Sequence, residues 1–250
     1  MRDSISRIAV LTGRNLKEII RDPLSLVFAI ALPLVMEILF YFIFHSLTTQ
    51  FEMKYLAPGI VVFAESFLTL FTGILISTDR NTSFLTRLYV SKARSHEFIF
   101  SYALSILPVS LFQAVLFFVV GGIFDASLFG VGMICATALS LVTSLFFIAA
   151  GILFGSVCSE KSVGGISSVI IAGQSVLSGM WFPLEGLNEV MVTIMKVLPF
   201  KNATMLIQNT VLGFNDVVND FLIPLSVVLL YAAATFVLAI IFFKKKMRSE

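Results

Sequence analysis

Apolar residues in this chain come in long unbroken runs rather than in the short alternating patterns of a soluble domain. A bilayer core of about 30 Å takes about 20 residues of helix to cross. Six stretches are long and apolar enough: 24–44, 55–77, 98–121, 128–157, 163–182 and 221–243. None contains Lys or Arg. They are continuous, whereas barrel strands would show alternating segments of about ten residues. Inside lipid the backbone must bond to itself, which selects helices. The expected fold is therefore an all-α integral membrane protein with six transmembrane helices in a single domain over residues 1–250.

The segments between these runs add three elements. In residues 1–22, Ile5, Ile8, Ala9, Thr12, Leu16, Ile19 and Ile20 fall on one helical stripe, with Arg7, Arg14, Lys17, Glu18 and Arg21 opposite. This predicts a helix lying in the membrane interface and stopped by Asp22-Pro23. Residues 79–97 form a loop long enough for a short helix bearing Phe84, Leu85, Leu88 and Tyr89. Residues 183–220 mix apolar and polar positions, with Val190, Ile194, Val197 and Leu198 at helical spacing before Pro199. They predict two short helices, broken at Pro199, that pack at or dip into the outer leaflet before the last span.

Composition agrees with the pattern: 58% of the 250 residues are apolar, 26 are Phe, and mean hydropathy is +1.00. Only 13% are charged, where a soluble domain carries about 25%. The positive residues set the orientation. With the N-terminus inside, fourteen of the 17 Lys and Arg are cytoplasmic, and only Lys54, Lys196 and Lys201 are outside. Both termini are expected to be cytoplasmic. The charged beginning MRDSISRIAVLTGRNLKEIIRD lacks the apolar segment of a cleavable signal. A net charge of +2 argues against a nucleic-acid binder.

Candidate chemistry is sparse. Cys135 and Cys158 cannot form a disulfide framework or a four-ligand zinc site and read as small apolar residues. There is no H-E-x-x-H and no G-x-x-x-x-G-K-[ST], and no Gly is followed by Lys. His45 and His96 lie at opposite ends of their spans, far from Ser167, Ser168 and Ser175, so no serine hydrolase is expected. The Ser and Gly residues of 164–179 read as small side chains that permit close helix packing. Four polar residues remain inside the predicted spans: Glu37, Glu65, Gln113 and Gln174. Carboxylates there are costly unless they face water, find a donor or are protonated. They either line a polar translocation path or bond one another across packed helices.

Several segments, taken in order, resemble the membrane permease subunits of type-2 ABC exporters. They are RDPLSLVFAIALPLVMEILFYFIF with Pro33, YLAPGIVVF with Pro58 and Gly59, and DRNTSFLTRLYVS at 79–91. In the last, Arg80, Leu85, Arg87 and Leu88 match an E-R-x-x-G-T-L-E-R-L-like run. GMWFPLEGLNEVMVTIMKVLPFKNA resembles the family's external re-entrant region, with Gly179, Pro183 and Pro199 in place. Asp79 stands where Glu is usual, Thr82 or Ser83 where Gly is usual, Lys92 for a Pro and Asn188 for another.

The resemblance implies a transport subunit rather than an enzyme. Two permeases, identical or similar, would pair in the bilayer above two ABC ATPase subunits that bind ATP and Mg, with no cofactor in this chain. Residues 79–94 would be the coupling helix. Phe84, Leu85, Leu88 and Tyr89 would seat in the ATPase, with Arg80 and Arg87 making polar contacts. A Phe-rich interior suits hydrophobic or amphipathic cargo such as a drug, lipid or peptide. Short outer loops suit a bacterial inner or plasma membrane. The alternative reading is an ion- or proton-coupled carrier or channel that uses Glu37 and Glu65.

Overall fold

With no water to satisfy amides in the middle of an apolar run, the helix is the one local structure that bonds every backbone group. Each long run accordingly folds as a helix in the computed structural model, which describes residues 2–82, 95–182, 184 and 186–249. The helices are α1 (Arg2–Ile20), α2 (Pro23–Phe44), α3 (Met53–Asn81), α4 (Ser95–Phe124) and α5 (Val131–Val157). They continue with α6 (Glu160–Leu177), α7 (Glu189–Val197), α8 (Pro199–Leu212) and α9 (Ile223–Ser249). No strand occurs among the described residues.

Five segments are each long and apolar enough to cross a bilayer: Leu26–Phe44, Met53–Asn81, His96–Phe124, Val131–Val157 and Val218–Lys245. The predicted run 163–182 becomes α6, whose 18 residues begin with Glu160 and Lys161. With that polar first turn and Gln174 further along, it is not among those five. The external segment forms two short helices, α7 and α8, bent by 78° about their junction. Pro199 opens α8, where its missing N–H costs nothing. Asn202 then donates to the carbonyls of Lys196 (2.8 Å) and Leu198 (2.7 Å), capping the end of α7. Pro183 lies outside the described residues.

Helix α3 is the centre of the bundle, and it packs most closely on α5 and then on α6 and α4. The reason is glycine. A Cβ on Gly151 would sit 2.6 Å from the Thr69 carbonyl oxygen, and one on Gly155 would sit 2.6 Å from that of Gly73. Only bare backbone permits that approach. The sequence assigns close packing to 164–179, but a Cβ on Gly164 or Gly165 would meet nothing within 4 Å. Those two glycines sit on the open side of α6. Of the α6 glycines only Gly173 meets a neighbour, the Phe200 ring at 3.1 Å.

The core divides into two layers. One gathers Met53, Leu56, Ile60, Phe117, Phe147 and Phe200, and α8 inserts into it. The other gathers Ile19, Leu68, Ile76, Phe98, Tyr102 and Phe243 at the end where α1 docks. Helices α2 and α9 remain largely exposed, as lipid-facing helices would.

Candidate functional site

A densely bonded, buried polar cluster surrounds the last turn of α3. Asp79 is 1% exposed. Arg14 of α1 grips its carboxylate with two nitrogens at 2.6 Å each, and the Tyr102 hydroxyl of α4 donates to it at 2.6 Å. Arg14 also pairs with Glu18 at 2.7 Å. The next residue, Arg80, donates to the carbonyls of Gly155 (2.9 Å) and Cys158 (3.1 Å), the unsatisfied C-terminal end of α5. Two successive side chains thus tie α3 to α1, α4 and α5.

A second clasp holds α1 to α4. Arg7 donates to both oxygens of Glu97, at 3.0 and 2.7 Å, and Ser4 donates to the same carboxylate. Electrostatics follow from this burial. Desolvation works to lower the Arg14 pKa, but the hydrogen bond and charge of Asp79, with the charge of Glu18, outweigh it and raise it. Burial raises the Glu18 pKa, the Asp79 charge adds to the effect, and Arg14 opposes it.

Sequence periodicity places Arg7 and Arg14 on the solvated face of an interfacial helix. The structure turns both inward onto buried carboxylates and leaves Ile5, Val10 and Ile20 exposed. The signal lay in Asp79 and Glu97, two acids next to apolar runs, which need cationic partners when buried. The loop is expected from sequence to begin at 79, but α3 continues through Asn81 because these ties satisfy its final turn. Phe84, Leu85, Arg87, Leu88 and Tyr89 lie outside the described residues; Arg80 is described.

The four polar residues within the apolar runs are all buried, and each has different surroundings. Glu65 accepts from Thr143 at 2.9 Å, with its second oxygen unpartnered. Glu37 is 0% exposed with no hydrogen-bond partner on either oxygen, beside Gly121, whose lack of a side chain leaves it room. Gln174 donates to Thr204 at 3.0 Å. Gln113 donates to the Ala29 carbonyl at 3.0 Å. Ala29 is four residues before Pro33, which has no N–H to offer that carbonyl. Gln113 therefore supplies the donor that Pro33 removes from α2. None of the four bonds to another, which sets aside mutual bonding in this conformation.

Cavities lined by described residues lie elsewhere. One, of about 400 Å³, is bordered by Gln50, Tyr55, Lys201 and Gln208 near the α7–α8 bend. Another, of about 360 Å³, opens between α1, α2 and α3. Cys135 and Cys158 are unpaired. His45 follows α2 and His96 begins α4, at opposite ends of the bundle. Among the described residues no three His, Cys, Asp or Glu side chains gather as a metal site would require.

Nine α-helices among the described residues, giving five or six candidate crossings, with buried polar side chains tying several of them together, define a multi-pass membrane protein. The sequence model of the ABC-2 type transporter matches residues 6–212, and the chain belongs to that family. It is thus a membrane transport subunit of the ABC exporter class. A comparison with curated proteins finds no match.

Proposed function

We propose that this chain is the permease of an ATP-driven exporter, working as a dimer with itself or a similar chain above two ABC ATPase subunits that hold ATP and Mg. In this arrangement both termini are cytoplasmic. Helix α1 lies in the inner interface with Ile5, Val10 and Ile20 toward lipid, and α6 crosses while α7–α8 re-enters from outside. The observation that carries the reading is the Asp79–Arg80 junction. Motion delivered to residues 79–94 enters the bundle at α3, and the bonds to Arg14, Tyr102, Gly155 and Cys158 pass it to three other helices at once. Rigid ties of this kind favour movement of whole helices over local bending.

Coupling to the ATPase is assigned to Arg80, Phe84, Leu85, Arg87, Leu88 and Tyr89. The path for hydrophobic or amphipathic cargo is assigned to the seams that hold Glu37, Glu65, Gln113 and Gln174, each of which keeps an oxygen without a partner for water or cargo to meet as helices part. Pro183 and Pro199 frame the external segment. The test is affinity purification of the tagged chain in mild detergent with an ATPase assay. An ATPase subunit in stoichiometric amount with vanadate-sensitive hydrolysis is expected, and Leu88→Asp should insert normally yet uncouple hydrolysis from transport. Normal transport by Leu88→Asp removes the coupling role.

The buried carboxylates favour a second reading, a proton-coupled carrier using Glu37 and Glu65. It is separated from the first by a transporting chain that purifies without any ATPase.

A further inference from the structure

The cavity between α1, α2 and α3 has a chemistry the transport reading does not specify. It is a slot of about 360 Å³ with Phe28, Phe67, Leu70, Phe71 and Leu75 on its walls. Its α3 wall runs from Phe67 to Thr78, a rise of about 17 Å at 1.5 Å per residue. The wall therefore extends from mid-helix to the end where α1 docks. At that end stand Glu18 and Asp22, the only charged residues lining it, and no Lys, Arg or His lines it among the described residues. Arg14 does not cancel the Glu18 charge in full: its one guanidinium is shared between Glu18 and Asp79. The slot is thus apolar along its length and acidic at one end.

We infer that this slot binds a bulky lipophilic cation, its apolar surface lying along α3 between Phe28 and Phe71 and its charge held toward Glu18 and Asp22. The argument is complementarity of charge and shape together. A neutral apolar guest has no use for the two carboxylates. An anionic one, including the head of an acidic lipid, would meet them directly. A compact cation with a bulky apolar body fills the slot and sets its charge against the acids at its end. Phe28 on the slot's wall is 59% exposed on a helix that is itself largely exposed, which gives such a guest a route from the bilayer. The inference rests on the permease reading for its role in transport but not for binding itself.

Equilibrium dialysis of the purified full-length chain in detergent, with empty micelles subtracted, tests it with two ions of nearly the same shape and opposite charge. Saturable binding of tetraphenylphosphonium at one site per chain is expected, with tetraphenylborate failing to compete. Glu18→Gln with Asp22→Asn should weaken tetraphenylphosphonium by roughly tenfold, as expected for two partly exposed carboxylates acting together. Leu70→Trp, which fills the slot, should abolish binding. Phe28→Ala, at a lipid-exposed position where folding is little at stake, should weaken it severalfold. Unchanged affinity in the double variant, or equal competition by tetraphenylborate, overturns the inference, as does unchanged binding in both Leu70→Trp and Phe28→Ala. If phosphonium binding fails while an ATPase subunit still co-purifies, the slot assignment falls and the permease reading stands. If binding holds and no ATPase is found, the reverse is true.

Discussion

Gln113 and Pro33 belong to different helices and are 80 positions apart in the sequence, yet the glutamine should be dispensable once the proline is gone. The Ala29 carbonyl loses its usual donor because residue 33 is proline, and the Gln113 amide takes that place at 3.0 Å. Both groups are buried, Ala29 at 2% exposed and Gln113 at 0%. Leaving a buried acceptor unpaired costs about 1–3 kcal/mol in proteins generally, but interhelical hydrogen bonds in membranes average about 0.6 kcal/mol with a maximum near 1.7. Gln113→Leu also removes the side chain's own unpartnered oxygen, which offsets part of the loss. The single variant is therefore a poor test, and the double-mutant cycle a good one. In a Pro33→Ala background the backbone N–H regained at position 33 restores the intrahelical bond, and Gln113→Leu should then be neutral or stabilising. The expected coupling is about 1 kcal/mol, within the range for bonded pairs. Reversible unfolding of the four proteins in mixed micelles measures it. If Gln113→Leu costs the same in the wild-type and Pro33→Ala backgrounds, the bond does not serve the proline and the reasoning fails.

Other expectations follow from the same contacts. Asp79→Ala strips Arg14 and Tyr102 of their acceptor and should destabilise the docking of α1 by about 2 kcal/mol, a charge-assisted value kept low because the Arg14 side chain is 32% exposed; faster proteolysis within residues 2–20 reports it, and wild-type resistance contradicts it. Gly151→Val forces α3 and α5 apart and should lower stability by about 3 kcal/mol or more, whereas Gly164→Val, facing open space, should leave the thermal midpoint close to that of the wild type. Glu65→Gln keeps an acceptor for Thr143 and should preserve ATP-driven transport; complete loss of transport with folding intact would point to proton coupling instead.

Much of the fold could be read along the chain because the bilayer imposes a simple rule. A run of about 20 apolar residues has one low-energy backbone, so helix positions followed from 24–44, 55–77, 98–121, 128–157 and 221–243 to within a few residues. The break at Pro199 was equally legible, since proline fixes where a helix starts. The bend angle was not, because it depends on how Asn202 caps the end of α7.

The polar residues behave differently. Composition singled out Glu37, Glu65, Gln113 and Gln174 as anomalous in lipid, but anomaly does not name a partner. A hydrogen bond requires groups about 3 Å apart, and sequence gives no distance between helices. Only the packed bundle sets Gln113 against the carbonyl freed by Pro33, or turns Arg14 away from solvent and onto Asp79. That the chain lives in a membrane, and where its long helices lie, could be read from the residues alone, because both depend on transfer free energies summed locally. Which glycines carry the helix crossing, which acids gain a cationic partner and where a slot remains open were settled by packing, because those outcomes depend on contacts between residues far apart in the chain.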